Sequence, residues 1–193
     1  MAFRDLPSFA AWRHQGARDG FEVVFMRSGP DGHRVEGHTA AVEEGEAWAV
    51  RYSIVAAADW TARSARVVGH SASGRRDLTL DADGAGAWRV DGAAAPELDG
   101  CLDVDLESSA FTNAFPVHRL ALDIGDAADA PAVYVRALDL SVERLEQRYA
   151  RVAGAAAHAT YEYAAPRFGY AGRLEYDEHG LVLAYPGLAA RAA

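Results

Sequence analysis

The chain has no lysine and a single cysteine, and both shortages restrict what it can do. All 19 basic residues are arginine, set against 28 acidic residues for a formal net charge of −9. That charge repels a phosphate backbone or an anionic membrane surface, so nucleic acid is not expected as a partner. The lack of lysine beside abundant alanine reads as GC-rich coding rather than function. With Cys101 alone there is no intrachain disulfide and no multi-cysteine metal cluster, and a reducing compartment fits. Cys101 sits among acidic residues that oppose thiolate formation, so a buried structural cysteine is expected rather than a nucleophile.

Long apolar runs are missing too. The opening MAFRDLPSFAAWRHQG carries Arg4 and Asp5 and has no signal-like stretch, and no uncharged segment approaches the roughly 20 residues that span a bilayer. The expectation is a cytoplasmic protein that is not integral to a membrane. No Gly-x-Ser-x-Gly elbow, phosphate-binding loop or Gly-x-Gly-x-x-Gly motif follows a strand pattern. The seven histidines form no helical pair at metal-ligand spacing. No cofactor, no metal and no catalytic residue is therefore assigned.

What is present is a strong period of two. At 193 residues, half of them hydrophobic and 24% charged, the chain suits one globular domain over 1–193. Segments 21–27, 33–43, 46–56 and 60–70 alternate and are rich in β-branched or aromatic residues. Turn formers at 28–33, 43–46 and 81–86 separate them, which predicts successive hairpins in one sheet. Further strands are expected at GCLDVDLESS, VHRLALDI and AVYVRALDL, and in the tail around the turn Asp177-Glu178-His179-Gly180. The stripe Val142, Leu145, Tyr149, Val152 predicts a helix over 141–152, although Val142, Arg144 and the Gln147/Tyr149 pair also fit a strand, and 153–159 reads as a low-complexity linker.

The segment Cys101–Glu107 alternates most clearly. Leu102, Val104 and Leu106 share one face, and Asp103, Asp105 and Glu107 share the other with neighbours about 6.5–7 Å apart. Ionised carboxylates so close need water, arginine or a cation. A hard-cation site, an acid–base pair, a set of acceptors for sugar hydroxyls and a solvated outer face all remain open. Arg51, Arg63, Arg66 and Arg119 are candidate counter-charges. The pair Tyr161 and Tyr163, and likewise Phe168 and Tyr170, would share a sheet face and either fill a core or stack on a sugar or acyl chain.

Taken in order, the blocks WTARSARV, GAWRVDG, LDGCLDVDLESSAFTNAFPVHRLAL, QRY, YEY and GRLEYDEHGLVLAYPGL resemble the glycolipid-binding protein family over nearly all of residues 12–191. In the middle block the family pattern is Asp-x-Asp-Leu followed by Thr-Pro-Phe-Thr-Asn-Thr-Leu-Pro-Ile-Arg-Arg-Leu. Asp103, Asp105, Thr112, Asn113, Pro116, Arg119 and Leu120 match it. Ser109-Ala110, Ala114-Phe115 and His118 depart from it, and His118 removes one arginine of a pair. Tyr185-Pro186-Gly187-Leu188 matches the closing block, with Ala189 where a large aromatic is common. The resemblance implies a mainly β fold, a single strongly curved antiparallel sheet forming a half-barrel-like cup with little helix. It also implies a glycolipid or other amphiphilic small molecule as partner. The residues singled out for ligand binding are Asp103, Asp105, Thr112, Asn113, Arg119, Arg63, Tyr161 and Tyr163. Two other readings stay open: an enzyme acting on a glycosyl or lipid substrate, and an interaction domain in which the motif residues are structural.

Overall fold

The computed structural model describes residues 3–154 and 158–193. The first half is a run of hairpins: β1 (Phe9–His14), β2 (Asp19–Gly29), β3 (Gly32–Glu43), β4 (Glu46–Ala56), β5 (Ala62–Ser71), β6 (Gly74–Ala82), β7 (Trp88–Val90) and β8 (Ala93–Ala94). A middle section holds β9 (Asp103–Leu106), a single 3-10 turn at Phe111–Asn113, α1 (Ala114–Leu120), β10 (Ala127–Asp129), β11 (Ala132–Val135) and β12 (Val142–Leu145). The tail adds β13 (Arg148–Val152), β14 (Ala159–Ala165), β15 (Tyr170–Tyr176), β16 (Val182–Tyr185) and β17 (Ala189–Arg191).

Fourteen of these strands form one antiparallel sheet in the order β10-β13-β14-β15-β16-β17-β1-β2-β3-β4-β5-β6-β7-β8. It is open, with β8 and β10 at its edges. The join between its halves is the pairing of β1 with β17, where Arg13 faces Ala190. The indole of Trp12 reinforces that join by donating to the Val182 carbonyl at 2.7 Å. The large antiparallel sheet and the scarcity of helix agree with the fold expected from the sequence.

Two expectations are corrected. Residues 141–152 form β12 and β13, two strands broken at Glu146-Gln147, rather than a helix. Leu145 and Tyr149 are both buried, but each belongs to a separate ladder, with β11 and with β14. The apparent helical spacing is the interval between two strands. VHRLALDI is not a strand either, because its first residues complete α1, which ends with Ala121 in the left-handed region at φ 45°. Strand β1 carries no signal that separated it from the N-terminal segment. Of the linker expected at 153–159, residues 155–157 lie outside the described residues.

The middle section acts as a plug against the inner face of the sheet. A small sheet of order β12-β11-β9, in which β11 and β9 run parallel, joins the 3-10 turn and α1. Phe111 packs edge-on to Trp12 of β1, and Phe115 packs edge-on to Trp60, which precedes β5. Tyr149 and Tyr176 approach the same plug from the other half of the sheet. One buried segment is therefore held from both halves of the sheet.

Candidate functional site

The acidic strand β9 does not face bulk water. Asp103 is 1% exposed, and Arg119 on α1 grips it through both oxygens, Nε to Oδ1 at 2.9 Å and Nη2 to Oδ2 at 2.6 Å. This bidentate pair ties the plug's helix to its strand. Asp105 accepts from the Thr112 hydroxyl at 2.8 Å and from the Gln147 amide at 2.5 Å. Burial, opposed by those two bonds, pushes its carboxyl up to about 6. Glu107 accepts from the Ala137 amide at 2.8 Å and lies 3.5 Å from Arg136. Each carboxylate has its own partner, which is how three acids share one short segment.

Behind the plug lies a buried carboxylate with no counterpart in the sequence reading. Glu22 of β2 is fully buried, accepting from the Tyr52 hydroxyl at 2.7 Å and from the Ala110 amide at 2.8 Å. Tyr52 can reach across β3 because the residue facing it there is Gly37: a Cβ at Gly37 would stand 2.1 Å from the tyrosine ring. The Tyr52 hydroxyl also meets Ser109 Oγ at 3.0 Å, so strand, glycine and plug form one assembly. The Nε2 atom of His14 is buried 3.8 Å from Glu22 and has no hydrogen-bond partner among the described residues. The signal that could have revealed Glu22 is its parity with the core residues Val24 and Met26.

A cavity of about 210 Å³ opens between the plug and the C-terminal half of the sheet. Its polar lining includes His14, Arg18, Asp105, Glu107 and Asn113, and its aromatic wall includes Tyr163, Tyr170 and Tyr185. Those three rings touch one another with centroids 5.4–5.9 Å apart. Arg136 lies over Tyr134 and Phe168 at the same cavity. Arg18 donates to the Glu107 carbonyl at 2.6 Å and lies over Trp48. Asn113 accepts from Tyr149 at 2.9 Å through its side chain and from Tyr176 at 3.4 Å through its carbonyl.

Of the residues singled out in the sequence, Asp105, Asn113 and Tyr163 line this cavity. Thr112 holds Asp105 from behind, and Asp103 and Arg119 hold each other beside it. Tyr161 does not join them, lining a separate depression with Trp60 and His118. Arg63 lies at the start of β5 and donates to the Asp83 carbonyl at 3.3 Å, on the hairpin between β6 and β7. His118, in the position of the missing arginine, stacks on Trp60 at 3.8 Å and donates to the His179 carbonyl. Burial holds that imidazole down at about 4, so it replaces a cation with a neutral ring. Cys101 is buried and pushed up to about 11, chiefly by burial, which leaves it a thiol. No group of three metal-ligating side chains occurs among the described residues.

Comparison with known proteins places these features in context. The family model described as "Putative glycolipid-binding" matches residues 9–191. A crystal structure of a DUF1089 family protein from Pseudomonas aeruginosa is 35% identical, with a TM-score of 0.74, covering 100% of this chain and 97% of that one. A beta-barrel-like protein of domain of unknown function DUF1849 from Brucella abortus shares 10% identity at a TM-score of 0.55, covering 98% of this chain and 96% of that one. That second likeness concerns the fold alone. No curated protein matches the chain.

Proposed function

The chain belongs to the glycolipid-binding family, and from that premise we propose that the cavity between plug and sheet receives the glycosyl end of a glycolipid or a similar amphiphile. The observation that carries this reading is the cavity's lining. Three mutually touching tyrosine rings of the sheet, Tyr163, Tyr170 and Tyr185, line it together with hydrogen-bonding groups, the unpartnered Nε2 of His14 among them. Flat aromatic walls stack on the apolar face of a sugar, while carboxylates and amides accept from and donate to its hydroxyls. Arg18 and Arg136 are set against Asp105 and Glu107, so the lining mixes both signs of charge and suits an uncharged polyol.

Size limits the reading. At about 30 Å³ per water the cavity holds about seven waters, below the roughly 300 Å³ at which sites for drug-sized ligands begin. It takes one sugar-sized group, and acyl chains lie outside it. Asp105, Asn113 and Tyr163 are assigned to direct contact, with Asp103, Thr112 and Arg119 positioning them. Catalysis by Asp103 and Asp105 as a pair is disfavoured because Arg119 occupies both oxygens of Asp103. The two also project side by side from one strand, whereas glycoside hydrolysis places carboxyls across the bond.

Calorimetric titration with short-chain alkyl glycosides tests the proposal. Saturable binding is expected, weakened about tenfold or more by Tyr163→Ala and by Asp105→Asn. If no glycoside saturates the protein, and native mass spectrometry after incubation with lipid extract finds only apoprotein, the reading fails.

A further inference from the structure

The outer face of β1–β6 differs in character from the rest of the molecule. The alternation of β2 sends Glu22, Val24 and Met26 into the core and turns Phe21, Val23 and Phe25 outward. Phe25 pairs across the ladder with Phe9, and Arg13 pairs with Phe21. Phe9, Phe21, Phe25 and Val42 are 52%, 42%, 53% and 51% exposed, four of the seven large hydrophobic residues so exposed among those described. A soluble sheet has no reason to place three phenylalanines on its wet side while burying a glutamate, unless that side meets something apolar.

Charge on this face runs against the molecule as a whole. Following the ladder outward from β1 to β6, the exposed positions carry Arg13, Arg27, Arg34, Arg51, Arg66 and Arg75. The carboxylates there are Asp19, Glu36, Asp77 and Asp81, of which Asp77 is held by Arg75 at 2.6 Å. Six arginines against four carboxylates give a formal +2 on a chain whose net charge is −9. A shallow groove beside Phe21 is lined by Arg51, Arg75, His38 and His70, with no carboxylate in its lining. Apolar rings set among arginines on a curved surface are the chemistry that recognises an anionic interface: the rings enter the acyl–headgroup boundary and the guanidinium groups meet phosphates.

We propose that the outer face of β1–β6 docks on an anionic phospholipid bilayer, with Phe9, Phe21 and Phe25 seated in the interface and Arg13, Arg51 and their neighbours on the headgroups. This surface is separate from the cavity and uses none of the residues assigned to glycosyl binding.

Flotation of the full chain with vesicles tests it, comparing pure phosphatidylcholine with equal parts phosphatidylcholine and phosphatidylglycerol. The protein is expected to float with the anionic vesicles only and to be released by added salt. Arg51→Glu, which removes a positive charge and adds a negative one, should lower the partition coefficient at least about fivefold, and Phe25→Ser about tenfold. Both positions are exposed, so circular dichroism should show an unchanged fold, and Arg34→Glu provides a second charge reversal. Equal partition into both vesicle types, or unaltered binding by the folded variants, overturns the proposal. So does a concentration-dependent dimer in sedimentation velocity that Phe25→Ser abolishes, since a second copy would then be the occupant. The vesicles contain no glycolipid, so their failure leaves the glycoside titration standing as an independent result.

Discussion

Asp103 and Asp105 stand two residues apart, and burial pushes both carboxyls above their ordinary value, but only Asp103 has a charged partner. The bidentate bond to Arg119 gives Asp103 a full counter-charge inside the protein. Asn at that position would leave the guanidinium, 14% exposed, without its partner. Asp103→Asn should therefore cost about 3–5 kcal/mol in urea unfolding at neutral pH. Asp105 has only neutral donors, and burial raises its carboxyl from 3.8 to about 6. The folded protein thus binds this proton more tightly than the unfolded chain does. Its contribution to stability is complete below about 3.8 and is lost as pH rises through about 6, a difference of roughly 3 kcal/mol. Asp105→Asn should remove that slope, so the variant gains stability relative to wild type between pH 4 and 7. Urea titrations at stepped pH check it, and parallel profiles would show that Asp105 ionises at its ordinary value. The sequence displayed the pair but not the asymmetry. Arg119 lies sixteen residues from Asp103 and Gln147 lies forty-two from Asp105, so nothing local distinguished them.

At the scale of elements, the strands of the first hairpins were legible because turn formers and alternation coincide. Which side of them faced inward was less so. Segment 21–27 offers Phe21, Val23 and Phe25 on one side and Glu22, Val24 and Met26 on the other, and ordinary hydrophobicity would bury the phenylalanines. Glu22 is drawn inward by Tyr52 and by the Ala110 amide of the plug, partners supplied by β4 and by a segment 88 residues away. Gly37 makes that possible by leaving room for the tyrosine ring. Gly37→Ala should push Tyr52 from its place and separate it from Glu22 and Ser109. A loss of about 1–3 kcal/mol is expected in denaturant unfolding, with Gly29→Ala, where a Cβ meets nothing within 4 Å, as the neutral comparison. The plug itself was misread in part, since VHRLAL alternates well enough for a strand and becomes helical only through its place beneath the sheet. The cavity was legible only in part: Asp105, Asn113 and Tyr163 stood out in the sequence, but His14 with Arg18, Tyr134 and Tyr185 come from three distant parts of the chain.

For the molecule as a whole, the fourteen-stranded sheet is continuous only through β17, which is paired on both sides, to β1 by Trp12–Arg191 and to β16 by Tyr185–Ala189. Ala189 and Leu188 also line the cavity. Ala190→Pro should break this seam, because a proline in an interior strand loses a ladder hydrogen bond. The expected result is a lowered urea midpoint together with loss of glycoside binding, whereas wild-type behaviour in both would show that the halves hold together without it. Residues 3–193 include no helix long and apolar enough to cross a membrane among those described.

The pairing of Arg13 with Ala190 also sets an order of events in time. Strand β1 is synthesised before β17, so the edge that β17 pairs has no partner until β17 has been made. Until then the nascent sheet presents an open edge beside the exposed ring of Phe9. Closing it requires a contact between nearly opposite ends of the described chain, the kind of long loop that slows folding. Closing that edge also brings Leu188 and Ala189 to the cavity wall, so a chain in which β17 is not yet paired has an incomplete cavity and an edge open to pairing with its neighbours.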